Sequence, residues 1–200
     1  MLYKVVVNIV KGVMNFLFKI EIDGMENIPK DKNFIVTPNH LSNFDAPLLF
    51  AFLPMEMGYL AKAELFRVPI IGSIVRAFGA FPVKRGGRDI SAIKTAIEVL
   101  RTGKNLVIFP EGKRTRTPGV LSEGKQGAAM IALKANVGLL PIGIETRYRF
   151  RGKVKVHIGE YIDLSEFFDK RASSQDLKKI TEDVLMPEIA QLCGARTYGN

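Results

Sequence analysis

Several common chemistries need residues that this chain has little of. Its 200 residues include one cysteine, Cys193, and two histidines. A lone cysteine cannot close an internal disulfide, which points to a reducing compartment. Two dispersed imidazoles and one thiol offer no ligand spacing, so no metal site and no resident cofactor are expected. The Gly-x-Ser-x-Gly elbow of many serine hydrolases is missing. There is no long uncharged apolar run either. Residues 1–20 come nearest, but Lys4, Asn8, Lys11, Asn15 and Lys19 interrupt them and no small-residue cleavage site follows. Internal repeats and low-complexity segments are absent, and a chain of this length suits a single core.

Acidic residues are outnumbered. With 29 Lys and Arg against 20 Asp and Glu, the formal net charge is +9, which implies an anionic partner: nucleic acid, a membrane surface or a phosphorylated substrate. The aromatics are mostly Phe inside apolar runs and are not interleaved with Lys and Arg, which weighs against a nucleic-acid-binding module.

In residues 1–20 the polar positions recur every three to four residues and gather on one helical face. They leave Val5, Val6, Ile9, Val13, Phe16, Leu17 and Ile20 on the other. This predicts a lysine-edged amphipathic helix ahead of an α/β domain over residues 21–200. Such a helix lies in a membrane interface or packs on its own domain, and the residues alone favour packing.

Apolar runs then alternate with helical periodicity. Strands are expected at Phe34-Ile35-Val36, Met57 to Ala61, Ala80 to Val83, Asn105 to Phe109 and Leu139 to Glu145. Lys153 to Ile158 alternates strictly, with Val154, Val156 and Ile158 inward and His157 outward. Helices are expected at Ala46–Leu53, Ile70–Phe78, from an Asp89 cap to a Gly103 stop, at about Gly124–Ala135, and from a Ser173 or Ser174 cap to a break at Pro187. The pattern is that of a mixed sheet flanked by helices, with its loops clustered at one sheet edge.

One loop carries the chemistry. In Thr37-Pro38-Asn39-His40-Leu41-Ser42-Asn43-Phe44-Asp45, an imidazole and a carboxylate stand five residues apart between a strand and a helix. Pro38 ends the strand, Asp45 reads as the helix N-cap, and Pro47 sits in the first turn, where no donor is needed. Asp45 could serve as a cap alone. Two further polar, glycine-bearing loops follow strands, Lys84-Arg85-Gly86-Gly87-Arg88 and Pro110-Glu111-Gly112-Lys113-Arg114. The first reads as a phosphate cradle, since glycine admits backbone N–H groups and Arg offers a two-pronged fork.

In these blocks the chain resembles the glycerolipid acyltransferases of the lysophosphatidic acid acyltransferase type. Their first block is Asn-His followed, after four residues, by Asp, as in Asn39-His40 and Asp45. The second resembles Gly79-Ala80-Phe81-Pro82-Val83-Lys84-Arg85, the third Phe109-Pro110-Glu111-Gly112-Lys113-Arg114-Thr115, and the fourth Val137 to Ile144. Gly24-Met25-Glu26-Asn27-Ile28-Pro29 is similar to that family's leading segment. Lys113 departs from the more usual Thr. The resemblance implies transfer of an acyl group from acyl-CoA or acyl carrier protein to the sn-2 hydroxyl of 1-acyl-glycerol-3-phosphate, giving phosphatidic acid. Glycerol-3-phosphate or another lysolipid is the alternative acceptor.

The chemistry needs a base for the hydroxyl proton, a group to orient that base and a cationic pocket for the phosphate. His40 is expected as base and Asp45 as orienter. Lys84 and Arg85 are expected on the phosphate, with Glu111, Gly112 and Arg114 in the same pocket. Ser42 as a hydrolase nucleophile and a purely structural membrane-surface protein are the rival readings. A lipid substrate favours placing the helix of residues 1–20 on the cytoplasmic face of an anionic membrane.

Overall fold

The computed structural model describes residues 2–198 apart from 70, 78, 84–89, 116, 118 and 169–171. Seven strands form one sheet: β1 (Lys19–Asp23), β2 (Phe34–Pro38), β3 (Met57–Lys62), β4 (Ala80–Val83), β5 (Asn105–Val107), β6 (Gly138–Thr146) and β7 (Lys153–Ile158). Their order is β1-β7-β6-β2-β5-β3-β4. Neighbours run parallel except β6 and β7, which are antiparallel, so the sheet is mixed as expected.

The central strands are apolar on both faces because helices cover both. Ile35, Leu106 and Leu139 point into one core, beneath α4 (Ile90–Arg101), α5 (Gly127–Ala135) and the C-terminal helices. Phe34, Val36, Val107, Leu140 and Ile142 point into the other, beneath α1 (Leu2–Leu17) and α2 (Asp45–Phe52). Each such fully buried side chain contributes about 1.5–3 kcal/mol of transfer free energy. α3 (Ile71–Ala77) lies between β3 and β4 in the chain. In β7 the alternation holds, with Val154, Val156 and Ile158 buried.

At the N-terminus the structure differs from the expected division. The helix stops at Leu17, and β1 crosses the anticipated boundary at residues 20 and 21, pairing in parallel with β7 from Lys19 against Lys153 to Asp23 against His157. The apolar surface of α1 is split in two. Tyr3, Val6, Val7, Val10, Met14 and Leu17 pack on the core, with the Tyr3 ring edge-on to Phe50 at 5.4 Å. Val5, Ile9, Val13 and Phe16 form a second stripe that faces solvent. No helix among the described residues is long and apolar enough to cross a membrane.

The leading segment closes onto β7. Gly24 takes a left-handed conformation, φ 75°, and a Cβ there would overlap the carbonyl oxygen of Ile158. Asn27 Nδ2 donates to that same oxygen at 2.8 Å. Only glycine fits so close an approach at positive φ.

At the C-terminus, Pro187 does not break the helix. Ser173 caps α6 (Ser174–Lys178) with a capping box, and the chain continues through a π-helical segment, Lys179–Leu185, into α7 (Met186–Leu192). A proline has no N–H and crowds the carbonyl four residues back. The wider turn just before Pro187 accommodates both effects. Val184 is exposed, so the apolar face runs through Ile180, Leu185 and Ile189 instead.

Candidate active site

β2, β3, β4, β5 and β6 run the same way, so their C-terminal ends share one edge, where the site is built. Pro38 still pairs with Ile142, but beyond it the chain needs a substitute for a backbone ladder. Asn39 supplies one with its side chain. Its Oδ1 accepts from Ile144 N–H at 2.6 Å and its Nδ2 donates to Ile144 C=O at 3.0 Å, copying a peptide unit. The residue is almost wholly buried. Its amide thus fixes where the next residue, His40, leaves the sheet.

His40 is held on every side except one. Its backbone N–H donates to Glu111 Oε1 at 2.8 Å and its carbonyl accepts from Thr115 N–H at 2.7 Å. Its ring stacks on Phe109, centroids 4.0 Å apart and planes 28° apart. Nδ1 faces Asp45 Oδ2 at 2.8 Å. Asp45 is wholly buried, and its Oδ2 already accepts from two backbone N–H groups, so Oδ2 is the acceptor of this pair, Nδ1 the donor, and Nε2 is left with its lone pair. Nε2 meets no partner among the described residues, and the side chain keeps 16% of its surface exposed.

The expectation that Asp45 is the N-cap is corrected. Asp45 is the first residue of α2, and the N-cap position is Phe44 with no side-chain cap. The carboxylate turns back on its own loop, where Oδ2 also accepts from Leu41 N–H at 2.7 Å and Ser42 N–H at 2.8 Å. Its other oxygen accepts from the Tyr148 hydroxyl at 2.6 Å. The Ser42 hydroxyl accepts from Phe44 N–H at 3.3 Å, in an arrangement that serves the turn.

Glu111 also differs from its expected place in a substrate pocket. It is 1% exposed, and its carboxylate takes His40 N–H, Ser122 N–H at 2.7 Å and the Thr115 hydroxyl. It ties the loop between β2 and α2 to the connection between β5 and α5 and has no open side for a ligand. Gly112 follows in a left-handed turn, φ 65°, its N–H on Phe109 C=O at 3.0 Å. Lys113 and Arg114 are exposed and line a cavity of about 840 Å³ with Leu41, Thr115, Ser122 and Tyr198. A second cavity, about 660 Å³, opens across Leu41 and Thr115 toward Arg147 and Arg149. Lys84 and Arg85, the expected cradle, lie outside the described residues. Among those described, no group of three His, Cys, Asp or Glu could hold a metal ion.

Sequence reasoning missed Asn39 as ladder substitute, the Phe109 ring platform, the Thr115 and Ser122 donors, and Tyr148. Burial first, then the Asp45 charge and the hydrogen bond to it, hold the Tyr148 phenol far above its usual range, so it remains a donor. The site is a carboxylate-oriented imidazole whose chain neighbour, Leu41, lines both cavities, and their cations, Lys113, Arg114, Arg147 and Arg149, suit proton removal from a hydroxyl beside an anion.

Comparison with known proteins shows the family. Residues 19–145 match the Acyltransferase family model. The 1-acyl-sn-glycerol-3-phosphate acyltransferase of Bacillus subtilis (strain 168) is 33% identical over 172 residues, covering 83% of this chain and 85% of that one. A lyso-ornithine lipid O-acyltransferase of Pseudomonas aeruginosa is 38% identical over 132 residues, 65% of this chain and 48% of the relative. The crystal structure of the 1-acyl-sn-glycerophosphate (LPA) acyltransferase PlsC from Thermotoga maritima superimposes with a TM-score of 0.75 at 32% identity, across 95% of this chain and 79% of that one. The chain belongs to the acyltransferase family that includes the 1-acyl-sn-glycerol-3-phosphate acyltransferases.

Proposed function

We propose that this acyltransferase moves a fatty acyl group from a thioester, acyl-CoA or acyl carrier protein, to the sn-2 hydroxyl of 1-acyl-glycerol-3-phosphate. The product is phosphatidic acid, for phospholipid synthesis. The observation that carries the reading is the 2.8 Å contact from His40 Nδ1 to Asp45, which leaves Nε2 as an oriented base. Nε2 takes the acceptor's proton as its oxygen attacks the thioester carbonyl. Asp45 stabilises the imidazolium so formed. When the tetrahedral intermediate collapses, the carbon–sulfur bond breaks and the proton passes from Nε2 to the departing thiolate. No enzyme nucleophile and no cofactor take part.

Lys84 and Arg85 are proposed for the acceptor phosphate, with Arg114 at the cavity mouth. A guanidinium fork suits a phosphate better than an ammonium does. The exposed stripe of α1, Val5, Ile9, Val13 and Phe16, continues onto Phe150, whose ring meets Phe16 at 5.9 Å. Lys4, Lys11 and Arg151 are exposed on the same elements. We propose that this surface rests on the cytoplasmic face of an anionic membrane without spanning it. A one-tailed acceptor and a two-tailed product then never need to cross water.

The test is mass spectrometry of products from a panel of lysolipids offered with acyl-CoA and with acyl carrier protein. Lysophosphatidic acid as the best acceptor supports the reading. Preference for a lysolipid without phosphate would overturn the acceptor assignment, and the similarity to the Pseudomonas lyso-ornithine lipid O-acyltransferase makes that acceptor worth including.

A further inference from the structure

Tyr148 lies in the turn between β6 and β7, 103 residues from Asp45 in sequence, yet its hydroxyl donates to Asp45 Oδ1 at 2.6 Å. The turn is built to hold it there. Tyr148 has φ 43°, a left-handed conformation that side chains rarely adopt without support. Its N–H donates to Thr146 Oγ1 at 3.0 Å, and that hydroxyl donates to Lys153 C=O across the hairpin at 3.0 Å. The Tyr148 ring packs edge-on to Phe18 at 5.3 Å and tilted against Phe44 at 5.6 Å. The far side of the turn is tied to the end of α1. Arg151 N–H donates to Leu17 C=O, and its guanidinium reaches Asn15 and Phe16 C=O at 3.4 Å each.

A tyrosine that served packing alone would have no reason to aim its hydroxyl at the carboxylate that meets the His40 ring. The distribution of donors on Asp45 is uneven. Oδ2 receives His40 Nδ1, Leu41 N–H and Ser42 N–H, whereas the only donor to Oδ1 among the described residues is Tyr148. Without that phenol, Oδ1 would be a buried charged oxygen with no donor. The carboxylate would then gain by turning toward whatever donors remain. The titratable groups in hydrogen-bond contact with the pair, among the described residues, are Glu111 on the His40 backbone and Tyr148 on Asp45.

We propose, on the footing of His40 as base and Asp45 as its orienter, that Tyr148 is a positioning residue. Its hydroxyl fixes the Asp45 carboxylate so that Oδ2 alone accepts Nδ1–H, which keeps Nε2 unprotonated and ready. Its ring, through Phe18, and its turn, through Arg151, link the acid–base pair to the end of α1.

The test is Tyr148→Phe, which keeps the ring and removes only the hydroxyl. Two readouts are taken on protein shown by circular dichroism to be folded. The first is steady-state kinetics, where kcat is expected to fall about 10-fold, as for loss of a hydrogen bond to a charged group, with KM nearly unchanged. The second is the 15N spectrum of neutral His40, assigned in a His157→Gln background. The Nδ1–H tautomer is expected to dominate in the parent, and the Nε2–H tautomer to become populated in Tyr148→Phe. An unchanged tautomer overturns the proposal whatever happens to turnover, as does an unchanged kcat beside a shifted tautomer. If the parent transfers no acyl group at all, the tautomer measurement still decides the role of Tyr148, so the two assignments fail separately.

Discussion

Replacing Glu111 by Gln separates positioning from substrate binding most sharply. The carboxylate serves three donors, His40 N–H on Oε1, and Ser122 N–H with the Thr115 hydroxyl on Oε2. An amide has one acceptor end. If its oxygen faces His40, its NH2 opposes Ser122 N–H while the Thr115 hydroxyl turns to accept. If it faces the other way, His40 N–H is orphaned. Either choice strands one buried backbone N–H, which costs about 1–3 kcal/mol, and reduces the surviving bonds from charge-assisted to neutral, about 1 kcal/mol more. The expected loss is therefore about 2–4 kcal/mol in urea unfolding. At about 2–4 °C per kcal/mol for a chain of this length, the midpoint should fall by roughly 5–15 °C. Turnover should fall with it because the His40 backbone moves, while the affinity for the phosphorylated acceptor stays near the parent value. Unchanged stability with weakened acceptor affinity would refute the reasoning and return Glu111 to the substrate pocket.

Four further outcomes are expected. Gly24→Ala should destabilise by at least ~2 kcal/mol in denaturant unfolding, because left-handed strain of about 1–2 kcal/mol adds to the overlap with Ile158. Burial above all pushes the Cys193 thiol up to about 11 from its ordinary 9.0, so iodoacetamide should spare it at pH 8 in the folded protein and label it quickly once urea unfolds the chain. Between those pH values the unfolded chain releases the proton while the folded chain keeps it, so stability should decline from pH 9 upward, and the buried phenols of Tyr59 and Tyr148 should extend the loss beyond pH 10. Replacing Phe16 and Phe150 together by Ser should reduce flotation with anionic vesicles by 10-fold or more, since each exposed ring would otherwise bury about 1.5–3 kcal/mol of apolar surface, while leaving the fold intact.

How much was legible depended on distance along the chain. His40 and Asp45 could be paired from sequence because five residues separate them across one turn. The strands β2, β5 and β6 were legible as apolar runs because helices bury both of their faces. β1 was not, since Lys19-Ile20-Glu21-Ile22-Asp23 is a short edge strand whose first residues continue the helical spacing of α1. Nor could periodicity show that the apolar surface of α1 divides between core and solvent, because that depends on where α2 lies. Tyr148 and Ser122 reach the site from distant loops, and neither sits in a patterned segment. Asp45 was misread as a cap because an aspartate ahead of a helix usually is one, and here the competing donors of its own loop and of His40 won.

The central claim is that His40 removes the acceptor's proton and Asp45 orients it. The direct measurement is single-turnover acyl transfer to lysophosphatidic acid by His40→Ala and Asp45→Asn, with acceptor affinity measured alongside. Loss of a positioned base should lower the chemical step by ~10²–10⁴-fold in each variant with little change in affinity. A chemical step within a few-fold of the parent in either variant would contradict the account.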